Sequence, residues 1–408
     1  FIKNGENILV IDSGFDHEES EKVFFNALEE LGAKVGKTDM FLTHLHADHS
    51  GLALKFKNKY QGKVYCSQID TDYINKMKHE LYADRFVPTL KVMGIEPDFK
   101  FFETHPGLVY CVKGKLETTI VKDGDKIEFG EYTFEVIDLS GHTPGQMGIY
   151  DREHKILFSG DHILNKITPN ISFWEFKYED ILGTYLKNLD KVYNMEVDTI
   201  YSAHRGIIEN PKIRIEELKK HYTDRNAEVY GLLKEGEKFS AAQIAAKMHW
   251  DYRAKNFEEF PNNQKWFATG EALANLEHLR AIGKADYEFK DGVAYYQRID
   301  QTNQYDIRLT YYYTGDTVTK QNTENYISYK SLGITEGKEN AEDQKKAAQA
   351  KVTALSLEYQ KVKGVKEKLV FDEKGIKETV EIDYGNRNHR NFNSCYCLYG
   401  IEYQIVFA

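Results

Sequence analysis

Proline is scarce, at seven in 408 residues, cysteine scarcer still at four, and basic charge is in deficit, with 54 Lys and Arg against 64 Asp and Glu. Few prolines and no biased tract exclude a collagen-like or Pro-rich chain, and 41% hydrophobic with 29% charged residues is the composition of a globular protein. No apolar run approaches the roughly 18–20 residues needed to cross a bilayer, so no membrane partner is expected. Cys66, Cys111, Cys395 and Cys397 are too few and too scattered for a disulfide framework. Free thiols and a cytoplasmic location are the expectation. The chain also lacks an initiating Met and the charged and apolar regions of a signal peptide. Phe1-Ile2-Lys3 reads as the end of a strand cut short, followed by an Asn4-Gly5 turn, so some N-terminal residues are expected to be missing.

A length of 408 residues exceeds what one hydrophobic core serves, which predicts two or three domains. The net charge of −10 is unevenly placed. Residues 1–210 hold 24 basic and 34 acidic side chains, whereas residues 211–300 and 301–408 hold 15 of each. Ten of the fourteen histidines also lie before residue 211. An acidic, histidine-rich segment is unsuited to a long polyanion, whose phosphates need a surplus of Lys and Arg on one face. It suits a segment that holds cations.

From Ile8 to about Gly206 short apolar strands alternate with helical stretches, an α/β layout. Strands are predicted at Ile8–Ile11, Met40–Thr43, Val64–Ser67, Ile127–Phe129, Thr133–Leu139, Gly148–Tyr150, Ile156–Ser159 and Thr199–Ser202, and helices at Ser20–Leu31 and Ile181–Tyr193. A helical insertion is read from Ile69 to Met93, extending toward residue 100, and could cover a site. Pro211 opens a second section: helices at Lys212–Glu235, Ser240–His249 and Gln264–Ile282, then a hairpin of Ala285–Phe289 with Val293–Arg298. Three helices and a hairpin give winged-helix order over 211–300. Its zero net charge argues against reading DNA and for packing on the first domain.

The strongest chemical signal follows Met40–Thr43: His44-Leu45-His46-Ala47-Asp48-His49. Four ligand-type residues in six are hard to explain by packing, because buried His and Asp cost free energy unless paired or metal-bound. Three further ligand-type residues sit beside glycine at later strand ends: His142 in Ser-Gly-His-Thr-Pro-Gly, Asp161 in Ser-Gly-Asp-His and His204 in Ser-Ala-His-Arg-Gly. Glycine there lets the backbone turn tightly and approach a site.

These residues resemble the metallo-β-lactamase superfamily signature over about residues 2–210. The resemblance implies an αββα sandwich in which His44, His46 and His142 bind one metal ion and Asp48, His49 and His204 a second, with Asp161 bridging both. Asp12, in Asp12-Ser13-Gly14, would support the ligands from behind. Five imidazoles and two carboxylates suit two Zn²⁺, with Fe or Mn as alternatives. A water between two such ions is acidic enough to attack a carbonyl near neutral pH, and Asp48 would handle its proton as catalytic residue.

Asp at 161 and the full motif distinguish this chain from the common zinc β-lactamases, and His46 from flavodiiron relatives, which carry Glu there. The expected activity is hydrolysis of a thioester or ester, of hydroxyacylglutathione hydrolase (glyoxalase II) type, on a small-molecule acyl substrate. A lactonase, or a metal-dependent endoribonuclease of the same superfamily, is the alternative; the charge distribution disfavours nucleic acid as a partner. A homodimer is compatible with this reading. Arg205 is a candidate for a substrate carboxylate or phosphate, or else a solvent arginine, and Phe173 and Trp174 are candidate pocket walls. His162 reads as a core or supporting residue, and His17, His79 and His105 as surface residues.

Residues 301–385, with Leu-Thr-Tyr-Tyr-Tyr-Thr-Gly-Asp-Thr-Val-Thr-Lys-Gln and Glu-Thr-Val-Glu-Ile-Asp-Tyr, resemble small bacterial lipoproteins of the YehR type, and an α+β domain is expected there. Strands are predicted at Asp306–Tyr313 and Asn325–Tyr329, a helix at Ala341–Val362, and a hairpin of Lys368–Phe371 with Thr379–Asp383. Residues 386–408 fit neither a helical nor a strand period. An exported-type domain behind a cytoplasmic-type hydrolase suggests two joined reading frames, the tail from Asn386 onward lying out of frame.

Overall fold

The computed structural model describes residues 1–76, 85–96, 103–234, 236–251, 253–299, 305–314, 317–329, 331–332, 334, 340–384, 395–396 and 402–403. It divides into two units, Phe1–Ile299 and Asp300–Ala408.

In the first unit, the apolar runs pair into two sheets. One has the order β1 (Ile2–Asn4), β2 (Asn7–Ile11), β3 (Thr38–Phe41), β4 (Val64–Cys66), β5 (Thr119–Ile120), parallel from β2 onward. The other has the order β11 (Ile207–Ile208), β10 (Thr199–Ser202), β9 (Ile156–Gly160), β8 (Met147–Asp151), β7 (Tyr132–Asp138), β6 (Lys126–Phe129), antiparallel except for the β9–β10 pair. Side chains alternate across a strand, so β2 serves two cores at once. Leu9 joins Phe41, Ile127, Phe134, Val136 and Ile149 between the sheets. Its neighbours Ile8 and Val10 face the other way, into a core with Phe24 and Leu28 of helix Glu18–Glu30. Helix Ile181–Asn194 covers the second sheet's outer face through Leu182, Tyr185 and Leu189, which share that core with Ile137 and Leu157. These are the four layers expected, helix, sheet, sheet, helix, and burial on both faces explains why the central strands read as unbroken apolar runs.

Two local expectations are corrected. The motif strand ends at Phe41 rather than Thr43, and two helices absent from the sequence reading follow it, Ala47–Ser50 and Ala53–Tyr60. The insertion holds two helices, Gln68–Lys76 and Val87–Met93, the second with Pro88 in its first turn, where a missing N–H costs nothing. His79 and residues 97–100 of the insertion lie outside the described residues.

Helices Pro211–Leu232, Ala241–Ala245 and Asn262–Ala281 and strands β12 (Lys238–Ser240), β13 (Ala285–Lys290) and β14 (Val293–Arg298) complete the unit. Ser240 and Gln243 close a reciprocal capping box on the short helix. The strand β12, not predicted, pairs with β14 in a sheet of order β12-β14-β13. The core of this section, around Ile244, Leu273, Leu276 and Tyr296, takes in Met93 and Phe173 from the first 210 residues. No helix among the described residues is long and apolar enough to cross a membrane.

In the second unit four antiparallel strands have the order β15 (Tyr305–Thr314), β16 (Thr317–Ser328), β18 (Gly375–Asp383), β17 (Val365–Phe371). Helix Ala341–Tyr359 places Val352 against Tyr329 and Ile376. Cys395 falls in a two-residue strand, while Cys397 lies outside the described residues.

Candidate metal centre

The chain leaves β3 at Phe41 and crosses the C-terminal edge of the first sheet as Leu42–Leu45, where Asp12 anchors it. Asp12 takes a left-handed backbone (φ 59°) and accepts from the Thr43 backbone N–H at 2.8 Å and the Thr43 hydroxyl at 2.7 Å. Its Oδ2 also lies 2.8 Å from His49 Nδ1. Two other outward ring nitrogens are held likewise: His44 Nδ1 lies 3.0 Å from the Thr43 hydroxyl, and His142 Nδ1 lies 2.8 Å from the Asn170 carbonyl oxygen. Each contact orients a ring and turns its Nε2 inward.

The inward atoms converge. His46 presents Nδ1, 3.0 Å from both His44 Nε2 and His142 Nε2. One ring nitrogen carries at most one proton and cannot satisfy two others by hydrogen bonding. His49 Nε2 and His204 Nε2 each lie 3.5 Å from Asp48 Oδ2. Asp161 stands between the groups: Oδ1 lies 3.6 Å from His49 Nε2 and 3.5 Å from His204 Nε2, and Oδ2 lies 3.6 Å from His142 Nε2. The buried atoms His49 Nε2 and Asp161 Oδ1 have no hydrogen-bond partner. Donors of a tetrahedral ion bound at 2.0–2.1 Å lie roughly 3.3 Å apart, so these separations and orphaned atoms fit bound cations. Three sets of donor atoms lie within 4.8 Å of one another: His44, His46 and His142; His44, His49 and Asp161; Asp48, His49 and His204.

Three of the five imidazoles have the neutral form a ligand needs, whereas His49, against its burial, is raised by Asp12, Asp48 and Asp161, and His204 is raised to about 9 by Asp161 and Asp48. Burial, then neighbouring imidazoles, push His44 well below its ordinary value and His46 down to about 3, and burial lowers His142. These three are neutral donors. Burial would raise Asp161, but His204, His49 and His142 outweigh it and hold the carboxyl at about 2. Asp48 is likewise held down, against its burial, by His204 and His49.

A cavity of about 420 Å³ opens onto His46, Asp48, His142 and Asp161. Phe173 and Trp174 are among the residues that line it. The Trp174 indole N–H donates to the His142 carbonyl oxygen at 3.2 Å, and its ring stacks on His46 with centroids 6.2 Å apart. The helical section contributes Asn263, Trp266 and Phe267 to the wall, and the Phe173 N–H bonds the Gly270 carbonyl oxygen at 3.0 Å.

Arg205 stands elsewhere. Its side chain is exposed, its backbone is left-handed (φ 68°), and it does not line the cavity, because the chain turns outward after His204. His105, expected at the surface, instead caps helix Pro106–Val109, packs edge-on against Trp266 at 5.7 Å and lines the cavity. His17 caps helix Glu18–Glu30. His162 is fully buried against Tyr185 at 4.9 Å, outside the donor sets.

Two residues here went unread in the sequence. Asp70, fully buried, accepts from the Leu45 backbone N–H and the Thr143 hydroxyl, each at 2.9 Å, and so ties the loop of His44 and His46 to the loop of His142. It shares the buried face of its helix with Ile74, four residues on, a spacing at which an acid is out of place. Arg85 lines the cavity with its guanidinium carbon 3.8 Å from the Trp174 ring centroid.

Residues 294–401 match a family described as a protein of unknown function (DUF1307), a match that runs past Asn386. An uncharacterized lipoprotein, Lmo0207, of Listeria monocytogenes is 44% identical over 92 residues, 22% of this chain and 54% of that protein. The human acyl-coenzyme A thioesterase MBLAC2 is 24% identical over 211 residues, 50% of this chain and 71% of that one. The hydroxyacylglutathione hydrolase GloC of Haemophilus influenzae is 24% identical over 180 residues, 44% and 72% of the two chains. The chain spans about half the length of several curated relatives, 42% in one case and 54% for the lipoprotein. A crystal structure of TTHA1429 from Thermus thermophilus, titled a metallo-beta-lactamase family protein, shares the fold with a TM-score of 0.61 at 23% identity, covering 73% of this chain and 92% of that one. The profile of the metallo-β-lactamase superfamily matches residues 1–204, half of the chain, and the chain belongs to that superfamily.

Proposed function

We propose that the first unit is a hydrolase of thioesters or related esters that works with two metal ions, Zn²⁺ or alternatively Fe or Mn. His44, His46 and His142 would hold one ion and Asp48, His49 and His204 the other, with the Asp161 carboxylate shared between them. When bound, such a pair supplies an acidified water as nucleophile and polarises a carbonyl oxygen. Asp48 lines the cavity with its side chain about one-third exposed, and would be the group that accepts a proton there and passes it to solvent. Trp174 and Phe173 exclude bulk water from one side, and the Trp174 bond to the His142 carbonyl keeps that wall in register with the ligands.

The observation that carries this reading is the cavity itself: about 420 Å³, walled mainly by apolar and aromatic side chains, with the polar donors converging at one end. That volume suits a small acyl compound, and the helical section narrows it further through Trp266 and Phe267. The names of the thioesterase and hydroxyacylglutathione hydrolase relatives support the same chemistry. We read the helical section as winged-helix-like, with its order of helix, strand, helix, helix, strand, strand, and as a wall of the pocket rather than a reader of nucleic acid.

The test is a panel of small thioesters, esters, lactones and single-stranded RNA offered to metal-loaded protein, with Asp161→Ala alongside. Thioester or ester turnover that is lost with chelator and in the variant is expected. RNA cleavage without thioester turnover would favour the ribonuclease alternative, and full activity in Asp161→Ala would overturn the ligand assignment.

A further inference from the structure

Arg85 is a buried cation with too few partners. Its side chain is 10% exposed, its Nε has no hydrogen-bond partner, and the Glu175 carboxylate lies 3.9 Å away, beyond hydrogen-bond reach. Glu175 is engaged elsewhere, accepting from the Tyr73 hydroxyl and pairing with Lys177 at 3.0 Å. The guanidinium lies instead over aromatic faces, 3.8 Å from the Trp174 centroid, 5.1 Å from Phe86 and 5.2 Å from Tyr73. Cation–π contacts and a distant carboxylate offset part of the cost of burying the charge but give its N–H groups no acceptor. Burial lowers the group only to about 10, so it stays charged at neutral pH. The guanidinium therefore lines the cavity with its Nε lacking any acceptor among the described residues.

We propose that Arg85 reads a negatively charged oxygen group, carboxylate or phosphate, carried by the substrate on its portion remote from the bond that is cut. The placement follows from the stack. Arg85 and His46 both pack on the Trp174 ring, 3.8 and 6.2 Å from its centroid, and all three line the same cavity, so the guanidinium and the candidate metal ligand address one bound molecule. A substrate lying along Trp174 would set its carbonyl by the metal ligands and its anion against the guanidinium fork, whose planar donors match such oxygens two at a time. The substrate class is therefore an anionic acyl compound with an apolar stem, and the stacking fixes Arg85 in the geometry that binding requires.

This rests on the cavity being the substrate site of the proposed hydrolase, so the test separates the two claims by reading binding without turnover. Three non-hydrolysable S-substituted thioethers of N-acetylcysteamine serve as probes, ending in methyl, carboxylate or phosphonate. They are titrated into metal-loaded full-length protein and followed by tryptophan fluorescence. We expect the wild type to bind one of the anionic probes at least tenfold tighter than the methyl probe, and the tighter of the two names the group. R85Q should bind all three within about threefold of one another at unchanged metal content, and R85K should recover part of the preference. Equal binding of all probes by the wild type, an unchanged preference in R85Q, or equal loss of the neutral and anionic probes in R85Q would overturn the proposal. If no thioester is hydrolysed but the Arg85-dependent preference appears, the hydrolase reading fails and the anion site stands.

Discussion

Asp12 Oδ2 lies 2.8 Å from His49 Nδ1 while Asp12 also holds the loop of the proposed metal ligands through both polar groups of Thr43. One carboxylate thus sets a ligand's tautomer and the path of the chain that carries the others. Side chains that orient metal-bound histidines typically contribute about 10–100-fold in metal affinity. Asp12→Ala is expected to weaken metal binding by about that factor, measured by competition with a chelator. Affinity equal to wild type would show that the loop holds its geometry without Asp12.

Gly141 shows why the ligand loops are glycine-rich. Its φ is +147°, and a Cβ there would meet Tyr185 Cβ at 2.6 Å and Tyr185 Cα at 2.8 Å. The loop carrying His142 therefore lies directly on helix Ile181–Asn194, and any side chain at 141 lifts it off. Gly141→Ala should destabilise the protein by about 2–3 kcal/mol, as overpacking and backbone strain both act, and should lower metal affinity because His142 moves. Denaturant melts and metal titration read the two effects separately.

The candidate ligands were legible because they cluster. Four ligand-type residues in six positions, and three more beside glycine at strand ends, leave a pattern that packing does not produce. Asp12 was legible only through the family resemblance, since a single Asp-x-Gly is common. Asp70 and Arg85 were not legible: each is one charged residue in a segment of mixed polarity, and its place at the site comes from partners distant in sequence, Leu45 and Thr143 for Asp70 and Trp174 for Arg85. Arg205 stayed open between substrate contact and solvent because adjacency to a candidate ligand in sequence says nothing of direction; its backbone is left-handed and its side chain exposed. The central strands were visible as apolar runs, whereas the short helix Ala47–Ser50 lies within the motif itself and carries no period of its own.

Asp70 gives the fold a pH dependence of known sign. Burial raises its carboxyl to about 7, against bonds from Thr143 and the Leu45 backbone that act in the opposite direction. Below pH 4 the group is neutral folded and unfolded. Between about pH 4 and 7 the unfolded chain releases the proton and the folded one keeps it, so stability falls as pH rises through this window. Above 7 the cost is complete, of order 4 kcal/mol at most for a shift of this size. Asp70→Asn removes the titration but keeps the acceptor. Chelated wild type and variant should therefore differ by a margin that shifts in the variant's favour by a few kcal/mol between pH 4.5 and pH 8, as read from urea midpoints. A constant margin would mean that Asp70 is charged throughout.

Glu277 tests whether the helical section is held by its own polar core. It is fully buried in helix Asn262–Ala281, pairs with Arg280 at 2.9 Å and accepts from the Tyr296 hydroxyl on β14. This is the link between the helix that supplies Trp266 to the cavity and the sheet behind it. Arg280 is one-third exposed and can be resolvated, so the main cost of removing the carboxylate is the buried Tyr296 hydroxyl left without its acceptor, about 1–3 kcal/mol. Glu277→Ala should lose that much stability, and Glu277→Gln, which can still accept from Tyr296, should lose less. Because the section's core includes Met93 and Phe173, the loss should reach the cavity. Tryptophan fluorescence in urea would then show the section's Trp250 and the cavity's Trp174 and Trp266 unfolding in one transition, in both variants, at a lower midpoint. Two separated transitions would show that the helical section unfolds without the metal-binding layers.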